Sequence, residues 1–346
     1  MPLFAVIIPV HNTAPYLKDC LDSILAQDCA DWECLCVDDG STDGSGDILD
    51  GYASRDSRFR IVHQENAGPG AARNKGLGLA RGEWVSFVDS DDMLRPDCLS
   101  SFAKLPDKTD ITFFQLTRID GDGIRHNFTF PADWTTEPTT SGPEMEKMAA
   151  RLIFNSRHAD MFGWTCNKFI RRSLIEKTGA RFDVSVQCYE DELFALGLLK
   201  AARSIRLLPR CLYLYRWREG CLTASRERNA KGLAERYEKA LEGFADETFL
   251  SLQFLRVFHL LEAEFAADPS SESLARLSGF RKRHRRFLRF RERRQGILLG
   301  LAAALPRRLP GGIVRLFRRL LPAPPTPMLW TANPGEKPIP IDTFFV

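Results

Sequence analysis

The first 118 residues alternate short apolar runs of strand length with stretches whose apolar side chains recur at helical spacing. Predicted strands cover about residues 4–9, 33–37, 60–63, 84–88 and 110–116, and predicted helices lie between the first four. Strands and helices that alternate through short connections form mostly parallel sheets with helices on both faces. The sequence therefore predicts an α/β fold of this kind, and few other architectures accommodate the pattern.

Polar side chains follow three of the predicted strands at the point where each strand ends. They are His11-Asn12, Asp38-Asp39 and Asp89-Ser90-Asp91. In open α/β sheets ligands bind beyond the carboxyl ends of the strands, so these groups predict one polar site, with a nucleotide as the leading ligand. The glycine fingerprint of dinucleotide-binding proteins and the GK[ST] of P-loop proteins are both missing from the first strand end, which disfavours those two classes.

The acidic stretch after the fourth strand has metal-binding chemistry. Asp89 and Asp91 are two residues apart, so in an extended chain their side chains project to the same side. Carboxylate oxygens suit Mg²⁺ or Mn²⁺, and such an ion neutralises a diphosphate. The alternative is a strand that ends in an acidic, solvated turn.

Four motifs in order resemble family 2 glycosyltransferases of the GT-A fold. They are Val6-Ile7-Ile8-Pro9-Val10-His11-Asn12, Val37-Asp38-Asp39-Gly40-Ser41-Thr42-Asp43-Gly44-Ser45, Asn66-Ala67-Gly68 with Ala72-Arg73-Asn74, and Phe87-Val88-Asp89-Ser90-Asp91-Asp92. The resemblance covers about residues 3–220 and weakens in the second half of that span. It implies a nucleotide-sugar donor, usually linked to UDP, and a transfer that inverts the anomeric centre.

The resemblance also implies roles for residues on the donor side. The implied donor-binding residues are Pro9, Val10, Asn12, Asp39, Gly68, Arg73, Asp89 and Ser90, and the implied metal ligands are Asp91 and Asp89. Asp39 would read the nucleobase, since a carboxylate accepts from the N3–H of uracil. Arg73 would contact the diphosphate or neutralise acidic neighbours. A turn-forming aspartate and a surface ion pair are the alternatives for these two residues.

Two later segments resemble the acceptor side of the family. In Gly163–Ser173, Trp164 offers a flat face for a sugar ring, and Asn167 and Lys168 offer polar contacts, with core packing as the alternative for Trp164. The cluster Tyr189–Glu192 resembles the family's Glu-Asp pair, which implies Asp191 as catalytic base and Glu190 as the alternative. Acids in the first turn of a helix also favour the helix dipole, so the cluster has a purely structural explanation too.

The C-terminal third differs in character from the rest. Residues 281–346 hold 15 Lys+Arg and 3 Asp+Glu, a net charge of +12, and because the whole chain carries +3, residues 1–280 carry −9. Basic residues beside short apolar segments over 281–321 predict a helix lying on an anionic membrane surface. A solvated basic helix or an oligomer contact is the alternative. Nucleic acid is disfavoured because no binding module accompanies the charge.

These observations combine into one hypothesis. We predict a catalytic GT-A domain over 1–222 (donor half 1–118, acceptor half 119–222), a helical appendage over 223–280 and a membrane-associating tail over 281–346. The enzyme would transfer sugar from a UDP-sugar to a glycan or lipid-linked glycan, assisted by Mn²⁺ or Mg²⁺. With no signal sequence, no apolar run of about 18 residues and scattered cysteines, it is predicted to be cytoplasmic and peripheral at the inner face of the membrane.

Two other functions compete with this hypothesis. A sugar nucleotidyltransferase would need a glycine-rich, basic loop after the first strand, and the sequence has none there. A non-catalytic nucleotide- or glycan-binding module would be expected to have lost its acids, whereas Asp89, Asp91 and Asp191 are all present. Neither the donor sugar nor the oligomeric state follows from the sequence.

Overall fold

A computed structural model describes residues 1–120, 123, 125–130, 137–139, 142–154, 161–186, 189–217, 233–267 and 270–288. The chain divides into two compact units. The first comprises residues 1–185 and 189–222, and the second comprises 186–188 and 223–346.

The first unit begins with the predicted alternation of strands and helices. Its elements are β1 (Phe4–Val10), α1 (Ala14–Leu25), β2 (Trp32–Asp39), α2 (Ser45–Ala53), β3 (Phe59–Gln64), α3 (Pro69–Leu79) and β4 (Trp84–Phe87). There follow β5 (Met93–Leu94), α4 (Cys98–Ala103), β6 (Ile111–Ile119), β7 (Arg125–Phe128), α5 (Gly142–Phe154), β8 (Lys168–Arg171), α6 (Arg172–Thr178), α7 (Glu190–Leu199) and β9 (Ile205–Arg216). Pro15 lies in the first turn of α1, where its missing N–H leaves no helical bond unmade.

The nine strands found among the described residues belong to one sheet in the order β3-β2-β1-β4-β8-β6-β9-β5, with β7 paired to β6. The pairs β1–β2, β2–β3, β1–β4 and β6–β9 are parallel, whereas β8, β5 and β7 run antiparallel to their neighbours. The predicted α/β class with a mostly parallel sheet is confirmed. The sequence missed β7 and β8, whose four residues each are too few to show a period.

The register brings the polar strand ends to one edge. Val10 pairs with Asp38, and Asp39 pairs with Gln64, so β1, β2 and β3 end side by side. On the other half of the sheet Ile119 pairs with Arg216, so β6 and β9 also end at this edge. The edge is therefore where side chains from distant parts of the first unit meet.

The close packing of α3 on β1 depends on a glycine. A Cβ on Gly76 would lie 2.4 Å from Ile7 Cγ2, inside the fully buried core, whereas a Cβ on Gly78 of the same helix would meet nothing within 4 Å. We expect Gly76→Ala to lower the free energy of unfolding by about 1–3 kcal/mol through overpacking. Gly78→Ala should leave it unchanged or raise it by up to about 1 kcal/mol, because alanine favours helix. Urea denaturation of both variants tests this, and equal stabilities would contradict it.

The described part of the second unit consists of three helices: α8 (Leu233–Leu241), α9 (Glu247–Ala267) and α10 (Ser271–Arg283). Phe254 of α9 stacks on His284 at 3.9 Å between ring centroids, and Glu238 of α8 binds Arg283 and His284. No helix in the described ranges is long and apolar enough to cross a membrane. Most of the predicted membrane-associating tail over 281–346 lies outside those ranges, from residue 289 onwards.

Candidate active site

A buried arginine joins the two sides of the site. Arg73 of α3 is 6% exposed, and its Nη2 donates to Asp89 Oδ1 at 2.9 Å, beyond the end of β4. Its Nη1 donates to Asp191 Oδ1 at 3.1 Å and lies 3.4 Å from Glu190 Oε1, both in the first turn of α7. One guanidinium thus contacts the acid predicted for the donor side and the two acids predicted for the acceptor side. Because it is buried, Arg73 does not form the surface ion pair that was the alternative for it.

The neighbour of Arg73 in the sequence fixes this geometry. The Asn74 amide donates to the Phe182 carbonyl and accepts from the Phe182 N–H, both at 2.9 Å. The Phe182 ring lies 5.4 Å from the Arg73 guanidinium and stacks on Phe194 of α7 at 4.3 Å. Through this chain of contacts α3 holds the start of α7 opposite β4.

Asp191 has the electrostatics of a proton acceptor. Its side chain keeps 30% of its surface exposed although protein surrounds it. Burial raises the pKa of Asp191 to about 7, with Glu190 and Asp89 adding to the effect and Arg73 opposing it. A base works best when its pKa lies near the working pH. Thr165, a residue that the sequence did not single out, lies 3.4 Å from Asp191 Oδ2 through its hydroxyl.

The acidic turn after β4 has two partly exposed carboxylates and one buried carboxylate. Asp89 is about one third exposed, Asp91 is half-buried, and Asp92 is fully buried. Ser90 is also buried and accepts a hydrogen bond from the Thr13 hydroxyl at 2.9 Å. Burial, together with the charges of Asp89 and Asp91, raises the pKa of Asp92 well above its usual range. Asp92 therefore supports the turn from within.

The donor set of this turn fits a divalent ion that arrives with a ligand. Among the described residues no three or more His, Cys, Asp or Glu side chains gather as a metal site. Mg²⁺ is commonly held by one or two carboxylates while substrate phosphates and water complete its shell. Asp89 and Asp91 are two hard oxygen donors of that kind at the strand end.

Asp39 shapes the loop beside the predicted base pocket. It is 2% exposed and accepts from the Gln64 amide at 2.7 Å and from the N–H groups of Ala67 and Gly68 at 2.9 and 2.8 Å. Gly68 takes φ +89°, a backbone conformation that favours glycine. A carboxylate offers about four acceptor positions, so one is left for a base. The base-reading role stays a prediction.

The first-strand motif is divided between core and surface. Asn12 is exposed and has a φ of +51°. Its side-chain oxygen accepts a hydrogen bond from the Thr42 N–H at 2.8 Å, and its side-chain nitrogen lies 3.1 Å from His11 Nε2. Pro9 and Val10 were predicted to line the base pocket, but both are buried inside β1, and Val10 has no exposed surface. Only Asn12 of the three offers its side chain to a ligand in this structure.

Two of the residues predicted to contact the acceptor are buried in this structure. Asn167 is fully buried and donates to the Met161 carbonyl at 2.8 Å, and Lys168, 2% exposed, donates to Asn167 Oδ1 at 2.8 Å. The Lys168 ammonium also lies 4.9 Å from the centre of the Phe113 ring. Both side chains turn into the core at the start of β8, so neither meets an acceptor from solvent. Trp164 is half-buried, edge to face with a neighbouring phenylalanine, and its stacking role stays a prediction.

Comparison with known proteins identifies the family. The model of glycosyl transferase family 2 matches residues 5–179, half of the chain. The chain belongs to this family. Similar relatives are EpsJ and EpsH of Bacillus subtilis, both named as glycosyltransferases. EpsJ is 30% identical over 64% of this chain and 63% of its own length, and EpsH is 32% identical over 62% and 61%. The chain thus spans less than two thirds of the length of these family members.

Solved structures show the fold shared within the family. Residues 1–349 of TarS from S. aureus superpose with a TM-score of 0.68 at 22% identity, covering 97% of this chain and 98% of theirs. The mannosyltransferase PcManGT from Pyrobaculum calidifontis gives a TM-score of 0.54 at 22% identity, over 88% of this chain and 86% of its own. The predicted GT-A fold is confirmed.

Proposed function

We propose that the protein transfers a sugar from a nucleotide-sugar, with UDP as the nucleotide, to a hydroxyl group of a glycan or lipid-linked glycan. The observation that carries the proposal is the bridge made by Arg73, which places Asp89 and Asp191 on opposite sides of one buried cation. A direct displacement needs this arrangement, because the leaving diphosphate and the attacking hydroxyl lie on opposite faces of the anomeric carbon. The anomeric centre is then inverted.

The donor side of the site binds the nucleoside diphosphate. Asn12 and Asp39 meet the nucleoside, while Asp89 and Asp91 would hold a divalent ion, Mn²⁺ or Mg²⁺, on the diphosphate side. That ion, when bound, stabilises the negative charge of the leaving group. Arg73 supplies a permanent positive charge at the same place and keeps Asp89 in position.

The acceptor side of the site activates the hydroxyl. Asp191 takes the proton of the acceptor hydroxyl as its oxygen forms a bond to the anomeric carbon, and the bond from that carbon to the diphosphate oxygen breaks. The nucleoside diphosphate leaves with the bonding electrons, so no covalent enzyme intermediate forms. Glu190 keeps the second contact with Arg73, and Trp164 offers a half-exposed aromatic face to the acceptor sugar.

Relatives support the substrate classes. TarS has been solved with UDP-GlcNAc, and PcManGT with GDP-Man and Mn²⁺. Other relatives are a poly(ribitol-phosphate) beta-glucosyltransferase of Bacillus spizizenii, 29% identical, and the succinoglycan biosynthesis protein ExoO of Rhizobium meliloti, 28% identical. These names support a surface polymer as acceptor.

The exposed basic residues Lys282, Arg285 and Arg286 support the proposed contact of the tail with an anionic membrane.

The test of the proposal is release of UDP from UDP-sugars. With Mn²⁺ present, the full chain should release UDP from at least one of UDP-glucose, UDP-galactose and their N-acetyl forms, and EDTA should abolish the release. Because Asp191 must be deprotonated to act as base and its pKa lies at about 7, log kcat/KM should rise with pH below about 7 and level off above it. No release from any of the four donors would contradict the proposal.

A further inference from the structure

The acidic turn that follows β4 is fastened to β9. The Tyr213 hydroxyl, on β9, donates to Asp92 Oδ2 at 2.6 Å and accepts from the Asp89 N–H at 3.1 Å. A tyrosine hydroxyl has one hydrogen to donate, and since the Asp89 N–H can only donate, that hydrogen goes to Asp92. Tyr213 and Asp92 are both fully buried.

Arg216, also on β9, completes the attachment. Its backbone N–H donates to Asp92 Oδ1 at 2.7 Å, so each oxygen of that carboxylate has a donor from β9. Its guanidinium donates to the Asp91 carbonyl at 3.0 Å and to Asp19 of α1 at 2.8 Å. Every residue of the turn from Asp89 to Asp92, apart from Ser90, is therefore bonded to β9.

We propose that Tyr213 and Asp92 are positioning residues that hold the backbone of Asp89 and Asp91 so that these two partly exposed carboxylates are preformed for a metal–diphosphate ligand. The inference rests on the proposed function of this turn. Its physical basis is that the turn has little regular structure of its own: the Asp92 N–H to Asp89 carbonyl bond at 3.0 Å is its one internal backbone bond among those the structure describes. A ligand that must first order the turn would bind less tightly than one that meets a preformed site.

Tyr213→Phe removes a single oxygen and keeps the ring. It leaves the Asp89 N–H and one Asp92 oxygen buried without their partner. We expect the dissociation constant for UDP in the presence of Mn²⁺ to rise about tenfold, the Mn²⁺ activation constant to rise similarly, and the KM for acceptor to stay unchanged. Asp92→Asn should act in the same direction, because an NH₂ group, which cannot accept, replaces one of the two oxygens that the Tyr213 hydroxyl and the Arg216 N–H meet.

Tyr52→Phe is the matched control. Tyr52 is also buried, and its hydroxyl donates to Asp22 at 2.6 Å, but it joins α2 to α1 away from the acidic turn. Both variants should lose thermal stability, with the smaller loss in Tyr52→Phe because its partner Asp22 is exposed, and only Tyr213→Phe should lose affinity for UDP with Mn²⁺. Wild-type affinity in Tyr213→Phe, or equal losses of affinity in both variants, would overturn the positioning role but leave the proposed function standing. A wild-type chain that binds no UDP with Mn²⁺ would instead overturn the proposed function, and the positioning role with it.

Discussion

Asp191→Asn should lower kcat by about 100- to 10,000-fold while leaving the dissociation constant for UDP with Mn²⁺ within about twofold of the wild type. The amide keeps the shape of the side chain and an oxygen that faces Arg73, but it cannot take the proton of the acceptor hydroxyl. The measurements are steady-state transfer or UDP release and an equilibrium titration with UDP. The loss belongs to the chemical step, because Asp191 lies on the side of Arg73 away from Asp89.

Glu190→Gln is the control for Asp191→Asn. Glu190 precedes Asp191 in the same helical turn and faces the same guanidinium at 3.4 Å, so its substitution tests what a loss of negative charge at Arg73 does on its own. We expect kcat to change by less than about tenfold. The opposite pattern, an inactive Glu190→Gln and an active Asp191→Asn, would make Glu190 the base. Full activity in both variants would contradict a catalytic base in the first turn of α7.

Arg73→Met should lower the free energy of unfolding by about 2–4 kcal/mol, since removing one partner of a buried ion pair leaves its counterparts uncompensated. Three carboxylates, of Asp89, Glu190 and Asp191, would then face one another without a cation. The figure lies below that of a fully buried pair because all three carboxylates keep some exposure. Any remaining activity should show its pH-dependent rise at higher pH, because Arg73 holds down the pKa of Asp191. Urea denaturation and a pH–rate profile measure the two effects.

Arg58→Met is the matched control for Arg73→Met. Arg58 also pairs with an aspartate, Asp56, at 2.6 Å, and lies over the Trp32 ring, but its side chain is one third exposed and remote from the acids of the site. An exposed pair contributes about 0–1 kcal/mol, so this variant should be close to the wild type in stability. Equal stabilities of the two variants would show that Arg73 does not hold the site together.

The sequence predicts the parts of the site that local pattern and order determine. A strand that ends in Asp39, or shortly before Asp89, is visible as an apolar run followed by acids, and parallel strands bring such ends to one edge. The place of Asp191 in the first turn of a helix follows from the leucines after it. These features depend on residues that are neighbours in the chain, so the sequence alone predicts them.

The sequence does not predict contacts that only the assembled sheet creates. Asn167 and Lys168 are polar and come shortly after Trp164, so they resemble ligand contacts, yet both are buried where β8 begins beside β6. Tyr213 lies in an apolar run as an ordinary strand residue, and its contact with Asp89 spans 124 positions. Nothing in either segment alone shows which atoms it will meet.

The most direct test of the two-sided site compares Asp91→Asn with Asp191→Asn in one experiment. Each variant is titrated with UDP in the presence of Mn²⁺ and assayed for turnover of the UDP-sugar that the wild type uses. We predict that both lose turnover, that Asp91→Asn also loses Mn²⁺-dependent binding of UDP, and that Asp191→Asn keeps it. Wild-type binding of UDP by Asp91→Asn, or a parallel loss of binding in both variants, would contradict the division of the site into a donor side and a base side.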